Sequence, residues 1–271
     1  MEQYKTEIVI GNYKVEVLDN GKSGDLILIF NHNSGAAISG LGLFNENALS
    51  EYRLVSVSLL GHGTSARSTN TNRDYSISGI GNFILDVVNY YKPNKYWLIG
   101  QSASGHAIIE AHNLFERCSG IISVCAPPIS LEALEKAFIP SAVVPLLFQE
   151  ELSEIELKNV ASAFTIFEKN IPLIAKGFTQ CDPLFRSGLG RSIKDGRLLD
   201  EKKCLKSLKC PIIFIRADKD SFIDSGYYDS INTSIDSSIE IKNVFSSGHA
   251  ALIDNPHQCA EIIAGFISRH K

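Results

Sequence analysis

The residue most suited to chemistry is Ser102, in Gly100-Gln101-Ser102-Ala103-Ser104-Gly105, between the apolar run Tyr96 to Ile99 and an amphipathic segment. A serine in such a strand-to-helix turn is held exposed in a strained backbone conformation, and its hydroxyl can attack an acyl carbon. Small residues two before and two after it let strand and helix pack closely. Gly100 fills the first position; Ser104 stands at the second, where glycine is usual, and Gly105 follows. Because a serine hydroxyl is a weak acid, it needs a general base, usually a histidine oriented by a carboxylate. Of seven histidines, His249 in Ser247-Gly248-His249 lies just after the last apolar run and before the terminal helix pattern. The loop after Pro211 to Ile215 holds Asp218, Asp220 and Asp224. Asp220 is the chosen orienting acid, and the other two read as solvated carboxylates or local caps.

Attack on an acyl carbon also needs donors for the oxygen that becomes negative. The candidates are the backbone N–H groups of Asn33, in Asn31-His32-Asn33-Ser34-Gly35, and of Ala103. His32 could serve as a second base, but a structural role in this loop is the preferred reading. No closely spaced His and Asp cluster suggests a metal, so neither a metal nor a cofactor is expected. Cysteines 118, 125, 181, 204, 210 and 259 lack CxxC spacing and read as reduced, buried, small apolar residues.

These residues require a scaffold of buried strands with loops at one end. Near-continuous Ile/Leu/Val runs occur at Leu26 to Phe30, Leu54 to Val57, Tyr96 to Ile99, Ile121 to Val124, Ile212 to Ile215 and Ile239 to Val244. Such runs predict a mostly parallel sheet covered on both faces. Glu7 to Ile10 and Lys14 to Leu18, joined by Gly11-Asn12, predict an antiparallel hairpin. Helical spacing over Gly79 to Tyr90, Ala103 to Phe115 and Gln258 to Arg269 supplies the covering helices. Residues 127–209 break the alternation, with helical patterns at Leu131 to Phe138, Glu154 to Phe164 and Ile171 to Phe178 and no convincing strand. The expected organisation is an α/β core, 1–126 and 210–271, with a helical cap, 127–209, inserted.

With 271 residues, 44% apolar, one large core is possible. The 26 basic against 30 acidic residues include no basic block, which argues against nucleic acid and anionic membrane as partners. The N-terminus lacks a signal-peptide pattern, and the apolar stretch Ala137 to Phe148, broken by two prolines, is too short to span a bilayer. A soluble, cytoplasmic protein is expected.

The order Ser102, Asp220, His249, the loops around Asn33 and Gly61-His62-Gly63-Thr64-Ser65, and their spread along the chain resemble the α/β-hydrolase superfamily. The resemblance implies a serine hydrolase acting through an acyl-enzyme on a small-molecule ester or lactone, and a structural role for the His62 turn. The fold's other acid-bearing loop, Ala126-Pro127-Pro128, holds no carboxylate here. Among the branches, Asn33-Ser34, Arg73-Asp74-Tyr75-Ser76, Ala126-Pro127-Pro128 and Phe167-Glu168-Lys169 are similar to metal-independent N-acyl-homoserine lactone hydrolases. That likeness implies a lactone substrate. Val160 departs from it, standing where those relatives carry a substrate-facing tyrosine, and Asp220 stands where they can use glutamate. A thioesterase, a C–C bond hydrolase, a cofactor-free dioxygenase or lyase, and a non-catalytic receptor are the alternatives on the same scaffold.

Overall fold

A computed structural model describes residues 2–232 and 239–271. The hairpin forms as β1 (Lys5–Ile10) and β2 (Tyr13–Asp19), turning at Gly11 with φ 58°. Six further strands follow among the described residues: β3 (Leu26–Phe30), β4 (Arg53–Val57), β5 (Tyr96–Gln101), β6 (Cys118–Val124), β7 (Ile212–Ala217) and β8 (Glu240–Val244). Across the sheet the order is β1-β2-β4-β3-β5-β6-β7-β8. Only the β1–β2 and β2–β4 pairs are antiparallel. The expected fold class, a mostly parallel sheet flanked by helices, is what forms.

Side-chain alternation explains the apolar runs. Leu28 and Phe30 point into one core with Ile84, Val87 and Ile108, while Ile27 and Ile29 point into the other with Trp97, Ile99 and Phe266. A strand buried on both faces has no solvent side on which to place polar residues.

Helix α1 (Ile77–Tyr91) starts where Ser76 Oγ accepts the Gly79 N–H at 3.0 Å. Helix α2 (Ala103–Glu110) is shorter than its periodicity predicts. His112 takes the Ile109 carbonyl through Nδ1 at 2.9 Å, and the chain continues as a 3-10 turn, His112–Leu114. Between β6 and β7 come α3 (Glu154–Phe164), α4 (Ile171–Gln180), α5 (Pro183–Lys194) and α6 (Glu201–Lys206). A capping box of Ser153 and Glu156 opens α3. The predicted helix over 131–138 is instead a 3-10 turn, Leu131–Ala133, followed by one α-helical turn, Leu134–Ala137. Helix α5 went unread although Asp182-Pro183 is a start signal, because Gly188 and Gly190 interrupt its stripe. Helices α7 (Ser225–Asn232) and α8 (Pro256–His270) complete the layers. Among the described residues no helix is long and apolar enough to cross a membrane.

From β3 the chain steps to β4 on one side and crosses back to β5 on the other. The carboxyl ends of β3 and β5 therefore flank a topological switch point, with Phe30 paired to Gly100. Loops leaving there diverge and create a crevice.

Candidate active site

Ser102 follows β5 directly, with φ 54° and ψ −125°, a backbone region that strains any residue with a side chain. Its N–H donates to Val124 O at 2.9 Å, and its carbonyl accepts the Gly105 and His106 N–H groups at 2.8 and 3.2 Å. Strand and helix meet so closely that a Cβ on Gly100 would lie 2.7 Å from Gly105 N, and one on Gly105 2.7 Å from Ala126 Cβ. The tight approach therefore falls at Gly105, one residue beyond the expected glycine position. Ser104 is free to carry a hydroxyl, and that hydroxyl donates to Asn31 O at 2.5 Å, tying α2 to the loop after β3.

The structure brings Ser102, His249 and Asp220 into one hydrogen-bonded chain. His249 Nε2 lies 2.9 Å from Ser102 Oγ, and Nδ1 lies 2.8 and 3.0 Å from the two Asp220 oxygens. An acceptor at Nδ1 favours the tautomer whose Nε2 can take a proton. Asp220 Oδ1 also accepts the Phe222 and Ile223 N–H groups at 2.8 and 3.2 Å, which fixes the carboxylate. The neighbouring acids have other partners. Asp218 accepts the Ser247 N–H at 3.1 Å, and Asp224 accepts Gly226 and Tyr227 N–H at the start of α7.

Several supports of this chain were not read from the sequence. Gln101 Nε2 donates to His249 O at 2.6 Å. Phe164 and Phe222 pack edge-on against the His249 ring at 5.2 and 4.9 Å. Asp254 accepts from Thr165 Oγ1, Ile166 N, Asn170 Nδ2 and Gly248 N, joining the segment after α3 to the His249 loop. Gln101 could have been suspected from its place beside the serine. The others come from distant elements and carry no local signal.

Asn33 places its side chain on the segment between β6 and β7, Nδ2 donating to Leu147 O at 2.8 Å, while Oδ1 accepts from Ser34 Oγ. Its backbone N–H and that of Ala103, the first residue of α2, have no hydrogen-bond acceptor among the described residues. His32 makes no hydrogen bond to Ser102. Its Nδ1 donates to Asn33 O at 2.8 Å and its ring packs on Phe164. Burial pushes its pKa down to about 3, so it stays neutral. His62 is also buried, pushed down to about 4, and its Nε2 accepts the Ser34 N–H at 3.1 Å. The Gly61-Ser65 turn thereby holds the loop after β3. Gly177 of α4 presses on the same loop, since a Cβ there would meet Ser34 O at 2.4 Å.

The serine faces a cavity of about 300 Å³ with walls that include Ile77, Leu134, Phe138, Leu147, Ile223 and the polar side chain of His106. Val160, buried in α3, does not line it. Among the described residues one group could approach a metal ion: Cys125, Asp220 and His249, with ligand atoms within 4.8 Å of one another. These residues do not fit a metal well. Nδ1 of His249 is committed to Asp220, and burial, followed by the Asp220 charge, raises the Cys125 thiol well above its ordinary range, whereas a ligand must be thiolate.

No protein-family model matches the chain, and no curated protein matches it by sequence. Solved structures do. The N-acyl homoserine lactonase AidH, complexed with N-butanoyl homoserine, superposes with a TM-score of 0.89 at 18% identity, over 98% of this chain and 97% of that one. The esterase RhEst1 from Rhodococcus sp. ECU1013 gives 0.77 at 16%, over 99% and 100%. A thermophilic esterase from Thermogutta terrifontis gives 0.76 at 15%, over 98% and 99%. At these identities the likeness establishes the fold, that of the α/β-hydrolases.

Proposed function

We propose that this α/β-hydrolase-fold chain is a metal-independent serine hydrolase of carboxylic esters or lactones, with Ser102 as nucleophile, His249 as general base and Asp220 orienting that base. The observation that carries the reading is the continuous hydrogen-bonded chain from Asp220 through His249 to a serine in a strained turn at the mouth of an apolar cavity. In the first step His249 Nε2 takes the Ser102 proton as Oγ bonds the acyl carbon. The carbonyl oxygen becomes negative, and the Asn33 and Ala103 N–H groups receive it. Collapse expels the alkoxide, which leaves with the proton from His249. Water then attacks the acyl-enzyme, again with His249 as base. For a lactone the leaving alkoxide stays tethered until that second step releases the opened hydroxy acid.

Residues 127–209 act in this reading as a cap that closes over the cavity, with Asn33 latched to it through Leu147. All six cysteines are free, which suits a reducing compartment such as the cytoplasm. N-acyl-homoserine lactones are the first lactones to try, because AidH shares the fold end to end.

The test compares the wild type with Ser102→Ala on a short p-nitrophenyl ester and an N-acyl-homoserine lactone, each with and without EDTA. Turnover indifferent to EDTA and lowered roughly 10⁴-fold or more by Ser102→Ala is expected. Activity untouched by Ser102→Ala would overturn the nucleophile assignment. Absence of turnover would shift weight to a thioester, a C–C bond, proton-abstraction chemistry or ligand reception on the same scaffold.

A further inference from the structure

Two polar side chains in the cavity wall have no part in the proposed reaction: Glu135, which is exposed, and His106, which is buried. His106, in the first turns of α2, donates its backbone N–H to the Ser102 carbonyl at 3.2 Å, which sets it about one helical turn, ~5.4 Å, along the axis from the serine. Helical side chains lean toward the N-terminus, which is the serine's end of α2, and both side chains border the same cavity. Nδ1 is occupied, 2.9 and 3.0 Å from the two Glu201 oxygens. Nε2 has no hydrogen-bond partner among the described residues, and the side chain, only 8% accessible, lines the cavity that contains Ser102. Glu201 is fully buried and also accepts the Ile129 N–H at 3.0 Å, so it holds the ring in one orientation.

We propose that His106, backed by Glu201, determines specificity by donating an Nε2 hydrogen bond to an oxygen acceptor carried on the acyl chain about one helical turn from the scissile carbonyl. The substrates favoured are then keto-acyl esters or lactones, and purely hydrocarbon chains are disfavoured. This inference rests on the hydrolase reading of the same site. An apolar pocket alone prefers a hydrocarbon chain, because a carbonyl entering it without a partner loses its hydration. A buried donor reverses that preference, and it is itself left unpaired when a hydrocarbon enters. Glu201 is fully buried and faces no other cation among the described residues, so the pair keeps a neutralising proton. Whether that proton makes His106 an imidazolium or makes Glu201 an acid donating to Nδ1, Nε2 carries a hydrogen, and both groups are accordingly held above their ordinary ranges. The carboxylate opposite makes the pair neutral as a whole, so a neutral carbonyl suits it better than a second anion.

Two esters of nearly equal shape separate the possibilities: p-nitrophenyl 5-oxohexanoate and p-nitrophenyl 5-methylhexanoate. In the wild type, kcat/KM for the keto ester should exceed that for its partner at least tenfold, mainly through KM. The double variant His106→Leu/Glu201→Met removes both members of the pair, so no buried charge is stranded, and its ratio should fall below one. A wild-type ratio at or below one, with Ser102-dependent turnover of both esters, overturns the inference and leaves the hydrolase reading standing; it does so whether or not the variant folds. Without Ser102-dependent turnover of either ester the hydrolase reading fails, and binding decides the pocket. In the imidazole NMR spectrum 5-oxohexanamide, but not 5-methylhexanamide, should shift the His106 resonances, and equal or absent shifts overturn the inference.

Discussion

At the residue scale the site depends on how few atoms hold each functional group. Asp220 has two tasks in the proposed mechanism: one oxygen fixes its own loop through Phe222 and Ile223, and both approach His249 Nδ1. Asp220→Asn keeps the loop acceptor but replaces an oxygen facing Nδ1 with an N–H donor, which favours the tautomer that leaves Nε2 unable to accept. We expect kcat to fall about 10³- to 10⁴-fold with KM and melting temperature nearly unchanged; a loss under tenfold would mean that Asp220 does not orient the base. The residue types of this site were legible in sequence, since Ser102, His249 and Asp220 each stand at the end of an apolar run. His106 was not, because a histidine inside an amphipathic helix looks the same whether it meets solvent, core or substrate, and Glu201 lies 95 residues away.

At the element scale the segment between β6 and β7 supports the site through a small number of contacts. Phe164, at the end of α3, touches both His32 and His249. Asp254 binds four donors at the junction between that segment and the His249 loop. Asp254→Ala leaves the Thr165 and Gly248 donors buried without this partner, while Ile166 and Asn170 can turn to water. The expected destabilisation is about 2–4 kcal/mol, from roughly 1–3 kcal/mol per stranded group with partial relaxation. Hydrogen exchange should quicken first at residues 164–170 and 248–250, and uniform acceleration across the sheet would contradict a local junction. Helix boundaries were only partly legible here. Ser153 with Glu156 marks the start of α3, but the stripe over 131–138 folds as two short turns, because Phe138 leaves the helix to bridge to Ile223.

At the scale of the whole molecule, buried titratable groups pull stability in opposite directions with pH. His32 and His62 are depressed to about 3 and 4 from an ordinary 6.5. The unfolded chain therefore binds more protons below pH 6.5, and stability is lost as pH falls through that window, by up to about 1.4 kcal/mol per unit for each ring. Burial raises Glu110 from 4.5 to about 7. The fold then holds the extra proton, and stability is lost as pH rises between those values. Urea unfolding should show a maximum near neutrality. Glu110→Gln, which keeps an oxygen for the Leu199 N–H, should stabilise the protein by about 1 kcal/mol at pH 8, after allowance for partial exposure, and hardly at all at pH 4. Equal effects at both pH values would show that Glu110 is not buried as an acid.

The sequence alone determined the order of elements, because burial on both faces demands continuous apolar strands and amphipathic helices carry their period in the chain. It also determined which residue types stand at the strand ends. The tertiary structure decided what those residues meet. The strand order placed the loop after β3 beside Ser102, close packing at Gly105 left Ser104 free to bind Asn31, and the segment between β6 and β7 brought Phe164 to His249 and Glu201 to His106. Distances between groups far apart in sequence are set by how whole elements pack, and periodicity within an element carries no information about the partner it will meet.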